Sequence, residues 1–258
     1  MGKRKRRFDG SGGESMAARS YQLVLSRIEA DLAAGLIEVG GRLPGERVLA
    51  ERYGVSRPSV REAIRVLEAM GLIRTAAGSG PEAGAILISN PAAPIGAALR
   101  WHLTSRSLPV ADIVGARVLV ETWALRKAAT RQRTGEVDLH VVRSLLAAMA
   151  EPGTDAAAFL ALDTRFHVAL AELSGNSVVA AMMSAMRESI ESYVMAAVAD
   201  LDDWERIATL LRAQHAAIVE AVHQGDGEQA AALVAAHING FYASTGVGQL
   251  EPAQTRKG

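Results

Sequence analysis

A glycine at position 54, set between two short amphipathic stretches, limits this chain more than any other feature. Glu46 to Tyr53 places Val48, Leu49 and Tyr53 at helical spacing. Gly54-Val55 predicts a tight turn, since glycine enters the left-handed region that ends a helix without steric cost. Ser56 stands where an N-cap belongs, and Pro58 falls in a first helical turn, where its missing N–H is no loss. Val60, Ile64, Leu67 and Met70 follow as an apolar stripe, while Arg57, Arg61 and Arg65 recur every fourth residue on another face. Two helices on so short a turn predict a helix–turn–helix. That motif sets the start of its second helix in the DNA major groove, where arginine can bond guanine O6 and N7 together. A solvated arginine face on an ordinary core helix is the competing reading of the same residues.

The residues beyond Gly71 decide between the two. Leu72-Ile73-Arg74-Thr75 predicts a strand, Gly78-Ser79-Gly80 a turn and Ala85-Ile86-Leu87-Ile88 a second strand, which together make a wing. The run LPGERVLAERYGVSRPSVREAIRVLEAMGLI resembles the DNA-binding domain of GntR-family transcription regulators, without an internal gap. The resemblance implies that Arg47, Arg57, Ser59 and Arg61 face DNA and that the wing glycines Gly78 and Gly80 lie along the minor groove. Gly45 departs from the serine more usual before the glutamate, and the wing GSGPEAGAILI is longer than the usual glycine turn.

A DNA-binding chain should be basic, yet the 28 Lys and Arg are balanced by 28 Asp and Glu. The balance is uneven along the chain. Residues 1–90 hold 14 basic against 10 acidic side chains, and residues 91–258 hold 14 against 18. A basic front and an acidic back imply that the front alone meets phosphate. Cysteine is absent, which excludes disulfides and thiolate metal sites. No apolar run is long enough to span a bilayer and no signal-peptide pattern is present, so a soluble, cytoplasmic protein without a membrane partner is expected.

Taken in order, residues 1–16 hold the basic run Lys3–Arg7 and a Gly/Ser-rich stretch, and are expected to be a disordered tail. Ala17 to Ile37 predicts the first helix, with Leu23, Ile28, Leu32 and Leu36 as its apolar side. The winged helix–turn–helix then covers 17–90. Asn90-Pro-Ala-Ala-Pro94 predicts the domain junction. From 91 to 245 the periodicity predicts helices near 95–103, 110–132, 136–149, 155–173, 177–199, 203–224 and 227–243. Breaks this short predict an antiparallel all-α bundle of about seven helices, with residues 246–258 a second disordered tail. The fold class expected is therefore mainly α, a winged domain followed by a bundle.

Three of the six histidines share an apolar setting. His167 follows Asp163 by one helical turn, His215 lies on the stripe Leu211, His215, Ile218, Val222, and His237 lies among Ala231, Leu233, Val234 and Ile238. One carboxylate and three imidazoles turned inward from three helices could hold a divalent ion, zinc, nickel or manganese among them. Ordinary buried, hydrogen-bonded histidines are the alternative. His102, His140 and His223 show no such convergence. The segments RVLVE (117–121), DTRFH (163–167), SGN (174–176) and HAAIVEAVHQGD (215–226) are similar to the helical effector domain, FCD, of the FadR-type GntR subgroup. That resemblance implies a metal on Asp163, His167, His215 and His237. It also implies a small carboxylate effector, for which Arg117 is the main candidate and Arg165 and Asn176 are secondary. Arg117 has a competing role as the ion-pair partner of Glu121, and Asn176 as a helix cap. The function expected is a dimeric, metabolite-responsive repressor on a pseudo-palindromic operator. A metal-dependent hydrolase built on the Asp/His cluster and a non-specific nucleoid-type protein are the rival classes.

Overall fold

The computed structural model describes residues 11–76, 84–88, 92–199 and 203–246. The chain divides into two compact units, Met1–Pro91 and Ala92–Gly258. In the first, α1 (Ser11–Ala33), α2 (Glu46–Tyr53) and α3 (Arg57–Ala69) precede an antiparallel pair, β1 (Ile73–Ala76) and β2 (Gly84–Leu87). The pair is in register Ile73 to Leu87 and Ala76 to Gly84. The segment before α2 joins the sheet on the far side of β2, through an Arg42–Ile86 bridge and the bonds Leu43 N to Ala85 O (2.8 Å) and Leu87 N to Gly41 O (3.0 Å). This third strand escapes a sequence reading because Gly40 and Gly41 register there as helix breakers.

The core of this unit is aliphatic. Val24 and Ile28 of α1, Leu49 of α2 and Val60, Ala63 and Leu67 of α3 close over Ile73 and Leu87. Two expectations need correction. The first helix begins at Ser11, inside the expected tail, and ends at Ala33, because good helix formers such as Glu14, Ala17 and Ala18 favour helix ahead of Tyr21. Its buried face is Val24 and Ile28, whereas Leu23, Leu32 and Leu36 are exposed. Met70 likewise leaves the stripe of α3 and is half exposed as its C-cap. The remainder of the two expected tails, with Gly78 and Gly80, lies outside the described residues.

The second unit is a bundle of seven helices among the described residues: α4 (Ala92–Thr104), α5 (Val110–Arg133), α6 (His140–Met149), α7 (Ala156–Glu172), α8 (Ser177–Ala199), α9 (Trp204–His223) and α10 (Gly227–Thr245). Side-chain caps start several of them. Asp155 accepts from Ala158 N (2.8 Å), Asp226 from Gln229 N (2.9 Å), and Asn176 from Val178 N and Val179 N (3.0 and 3.2 Å). Helix α6 starts at His140, later than its apolar period suggests, because the Asp138 carboxylate accepts from His140 N and fixes a turn there. Helix α5 packs on α7 and α10, α8 on α4 and α7, and α9 on α10. This sets the inward faces of α7, α9 and α10 around one point, with the rings of Phe159 and Phe166 against His215 of α9 (6.4 and 4.5 Å between centroids). None of the helices among the described residues is long and apolar enough to cross a membrane.

The turn between α2 and α3 depends on Gly54, which has φ +67° and open space where a Cβ would stand. Its side-chain cost is therefore purely conformational. Gly54→Ala should destabilise the winged unit by about 1–2 kcal/mol, the penalty of a left-handed L-residue, read by chemical denaturation. Asp155→Ala, which removes a cap in the other unit, should leave the winged transition unmoved.

Candidate functional site

Helix α3 shows what a recognition helix needs. Ser56 caps it, its Oγ accepting from Ser59 N (3.3 Å), and Val60, Ala63 and Leu67 anchor it in the core. The opposite face leaves Arg57, Arg61 and Arg65 exposed. Glu46 at the start of α2 organises two of these arginines. Its carboxylate accepts from Arg61 Nε and NH2 in a fork (3.2 and 2.9 Å), and Arg57 NH2 lies 4.0 Å away. The hydrogen bonds from Arg61 hold the Glu46 carboxyl below its usual range. Arg47 is exposed and paired with Glu51 (2.9 Å), and the half-buried Ser59 hydroxyl bonds that of Ser56 (2.8 Å). Glu46 is the residue a sequence reading misses. It stands fifteen positions from Arg61, a spacing no helical period relates, and the crossing of the two helices brings them together.

In the bundle, α7 supplies Asp163 and His167 from one face, α9 supplies His215 and α10 supplies His237. All four are buried, and their ligand atoms lie within 4.8 Å of one another. Nε2 of His237 is 3.3 Å from Nε2 of His167 and 3.2 Å from Nε2 of His215. Asp163 Oδ1 is 3.1 Å from His215 Nε2 and 3.5 Å from His167 Nε2. Bonds of about 2.0–2.1 Å would set neighbouring ligand atoms roughly 3.0–3.4 Å apart on either a six- or a four-coordinate ion, so these separations suit a common ion.

The tautomers make the same point independently. His167 Nδ1 donates to the Glu121 carboxylate (2.5 Å) and His237 Nδ1 donates to Gln214 Oε1 (2.8 Å). A neutral ring that carries its proton on Nδ1 has a bare lone pair on Nε2. With both rings neutral, two such lone pairs face each other at 3.3 Å in a water-poor interior, an arrangement that a shared proton or a cation would relieve. The donor set fits a divalent ion: three nitrogens, one oxygen and no thiolate.

A second layer surrounds the four. Arg117, buried, donates Nε to Glu121 Oε1 (2.7 Å) and NH1 to the Tyr242 hydroxyl (2.9 Å). Burial pushes the Glu121 carboxyl up, but Arg117 and His167 outweigh it and bring it down to about 2. Arg187 of α8 donates NH2 to Asp163 Oδ2 and to Thr164 Oγ1 (2.9 Å). Burial opposes the charge on Asp163 too, yet Arg187 and His167 hold its carboxyl well below the usual range. The structure thus brings Arg117 to the cluster with its ion pair to Glu121 formed. It does not bring Arg165 or Asn176 there. Arg165 points to solvent from the opposite side of α7, and Asn176 is exposed with its carbonyl engaged as the cap of α8. His102, His140 and His223 are exposed. Arg187 and Gln214 are the additions. Arg187 had a legible signal, since Met183, Arg187, Ile190 and Val194 share one stripe.

Two outcomes test these sites. Releasing the fork by Glu46→Gln removes a negative charge from the exposed face but lets Arg61 wander. Non-specific DNA affinity should rise while the ratio of specific to non-specific affinity falls, whereas Arg61→Ala should cost about 1–3 kcal/mol in specific affinity, both read by fluorescence anisotropy. In the bundle, burial lowers His215 and, well below the usual value, His237. The unfolded chain then binds more protons than the folded one at acid pH. The associated stability is complete above the unfolded value of about 6.5 and is lost as pH falls toward the depressed folded values. The three tryptophans, 101, 123 and 204, all lie in this unit. Denaturation of metal-free protein followed by tryptophan fluorescence should show a midpoint that drops between pH 7.5 and 5.5. The drop should shrink in a His215→Asn, His237→Asn double variant.

Comparison with known proteins agrees with both halves of this description. The model of the bacterial regulatory proteins of the gntR family matches residues 20–81, and the FCD domain model matches residues 112–240. The HTH-type transcriptional repressor NanR of Edwardsiella tarda is 31% identical over 209 residues, 80% of this chain and 77% of NanR. The Glc operon transcriptional activator of Escherichia coli is 29% identical over 208 residues, 79% of this chain and 80% of the activator. The solved structure of Streptococcus agalactiae GntR superposes with a TM-score of 0.64 at 24% identity, over 87% of this chain and 99% of that one, and shares the fold. These relatives are DNA-binding transcription regulators, which removes the hydrolase from consideration. The chain belongs to the GntR family of bacterial transcription regulators and carries an FCD domain behind its winged helix.

Proposed function

We propose that this regulator is a repressor that acts in the cytoplasm as a homodimer on a pseudo-palindromic operator and that responds to a small carboxylate through a bound divalent ion. Arg57 and Arg61 read base edges, Arg47 and Ser59 meet the backbone, and the wing around Gly78 and Gly80 follows the minor groove. Asp163, His167, His215 and His237 hold the ion, zinc, nickel or manganese. When bound, the ion would supply Lewis acidity and positive charge for a carboxylate effector. Arg117, held by Glu121 and Tyr242, contributes a fixed guanidinium beside it.

One observation supports the metal reading: Asp163, His167, His215 and His237, all buried, bring their ligand atoms within 4.8 Å of one another, with Nδ1 of His167 and of His237 turned outward onto Glu121 and Gln214. NanR supports repression, whereas the Glc operon relative is an activator, so direction is tested separately by whether deletion of the gene raises or lowers expression of its targets. A dimer follows from the limited reach of one winged domain, which reads few base pairs; two-fold symmetry doubles both readout and charge. Coupling requires that the effector prefer one arrangement of the two winged domains over another.

The sites separate by mutation. His215→Ala should bring metal content from one ion per chain toward zero by elemental analysis, retain operator binding and lose most of its response to effector. Arg57→Ala should keep metal and lose operator affinity by about 1–3 kcal/mol. Protein purified without chelator or affinity metal that takes up no zinc, nickel or manganese at neutral pH would make the histidines plain core residues.

A further inference from the structure

Imidazoles must be neutral to bind a metal, and with neutral rings the buried charges around the four residues sum to zero, since Asp163 and Glu121 are negative and Arg117 and Arg187 positive. A divalent ion would raise that sum to +2 in an interior from which water is largely excluded. A monocarboxylate would cancel half of it, and an uncompensated buried charge is unfavourable.

The surroundings also show where a second negative group would go. A narrow cleft beside the cluster is lined by Arg117, Asp163, Arg187, His237 and Tyr242, so it touches metal ligands and both guanidiniums at once. Arg187 is 5% exposed. Its NH2 is engaged by Asp163 and Thr164, but its Nε is buried with no partner among the described residues. Buried charged donors are almost always satisfied, so this N–H lacks an acceptor. The Tyr242 hydroxyl accepts from Arg117, which leaves its own proton free to donate in the same cleft. A second cleft, between α7 and α8, shares Leu160 and Arg187 with the first and reaches the exposed side chains of Glu191 and Met195. Arg187 therefore stands between the ligand cluster and a way in.

We propose that the effector is a short dianion, a dicarboxylate, and that Arg187 selects it by taking the second carboxylate while the first completes the metal's shell. This rests on the metal-and-carboxylate reading given above. The skeleton must be short, because one carboxylate, that of Asp163, already reaches from the ligand cluster to Arg187. Arg187 serves a double purpose in this scheme: it orients Asp163 through NH2 and reads the ligand through Nε.

The test uses full-length, zinc-loaded protein, titrated calorimetrically with malonate and succinate and with their monoanionic counterparts acetate and propionate. A charge-assisted hydrogen bond predicts that the better dicarboxylate binds about ten- to a hundred-fold more tightly than either monocarboxylate. In Arg187→Gln that preference should fall to near one, because the loss of affinity is larger for the dicarboxylate than for the monocarboxylate in whatever fraction of the protein retains zinc. Arg187→Lys keeps a positive charge beside Asp163 but lacks Nε, and it should keep zinc and lose most of the preference. Equal binding of mono- and dicarboxylates by the native protein, or no dicarboxylate binding, overturns the dianion while the metal reading stands. A preference that survives both substitutions overturns the role of Arg187. Loss of zinc in both variants also overturns it, since Arg187 would then only support Asp163. Native protein that takes up none of zinc, nickel and manganese removes the metal reading itself, and this inference with it.

Discussion

The ionised carboxylate of Glu121 is the constraint on which the helical unit depends. It is 1% exposed, where an isolated charge would be untenable, and it persists because Arg117 binds one oxygen and His167 the other. Its charge decides the chemistry one step further in. An anionic acceptor requires a proton on His167 Nδ1, and that requirement turns Nε2 toward Asp163, His215 and His237. Arg117 in turn reaches Tyr242 on α10, so a single buried chain joins α5, α7 and α10. Removing one member of such a pair typically costs about 3–5 kcal/mol, because the survivor is left charged and alone. Fold and site share the same bonds.

The winged unit uses a related device in a wetter setting. Glu46 on α2 aims Arg61 on α3, as Glu121 on α5 aims His167 on α7. Exposure changes what the device contributes. A surface ion pair adds little to stability, so the value of the fork lies in orientation. Arg61 already sits in a planar two-point contact of the kind a guanine edge offers.

Much of this was legible in the sequence, and the exceptions share a physical cause. Helix breaks at Gly54, Gly135 and Gly225 are local events, written in residues next to one another, and the elements follow them closely. Asp163 and His167 are legible as a pair because one helical turn separates them, and His215 and His237 because each interrupts an apolar stripe. The contacts of Glu121 with His167, Gln214 with His237, Arg187 with Asp163 and Glu46 with Arg61 cross between helices, where no period announces the partner. Glu121 is nonetheless legible as the i, i+4 partner of Arg117, and Arg187 as a member of an apolar stripe. The face of α1 is misread for a different reason. Leu23 and Leu32 of α1, with Leu36 beyond its end, are as apolar as the residues that are buried, and only packing against α3 selects Val24 and Ile28.

The four ligand residues also come from elements far apart in the chain: α7 first, then the consecutive pair α9 and α10. An ion shared among them, as proposed, would act as a removable cross-link that closes the long loop between α7 and the last two helices. The entropy of closing a loop grows slowly with its length, so a distant tie restrains nearly as well as a close one. Without the tie, α10 can fray from its C-terminal end in small, independent openings. With it, peeling α10 away breaks a bond to His237 and lays open the partner bond to His215, so partial opening gives way to an all-or-none event. Metal occupancy would then set the cooperativity of this end of the molecule, as well as its affinity for a ligand.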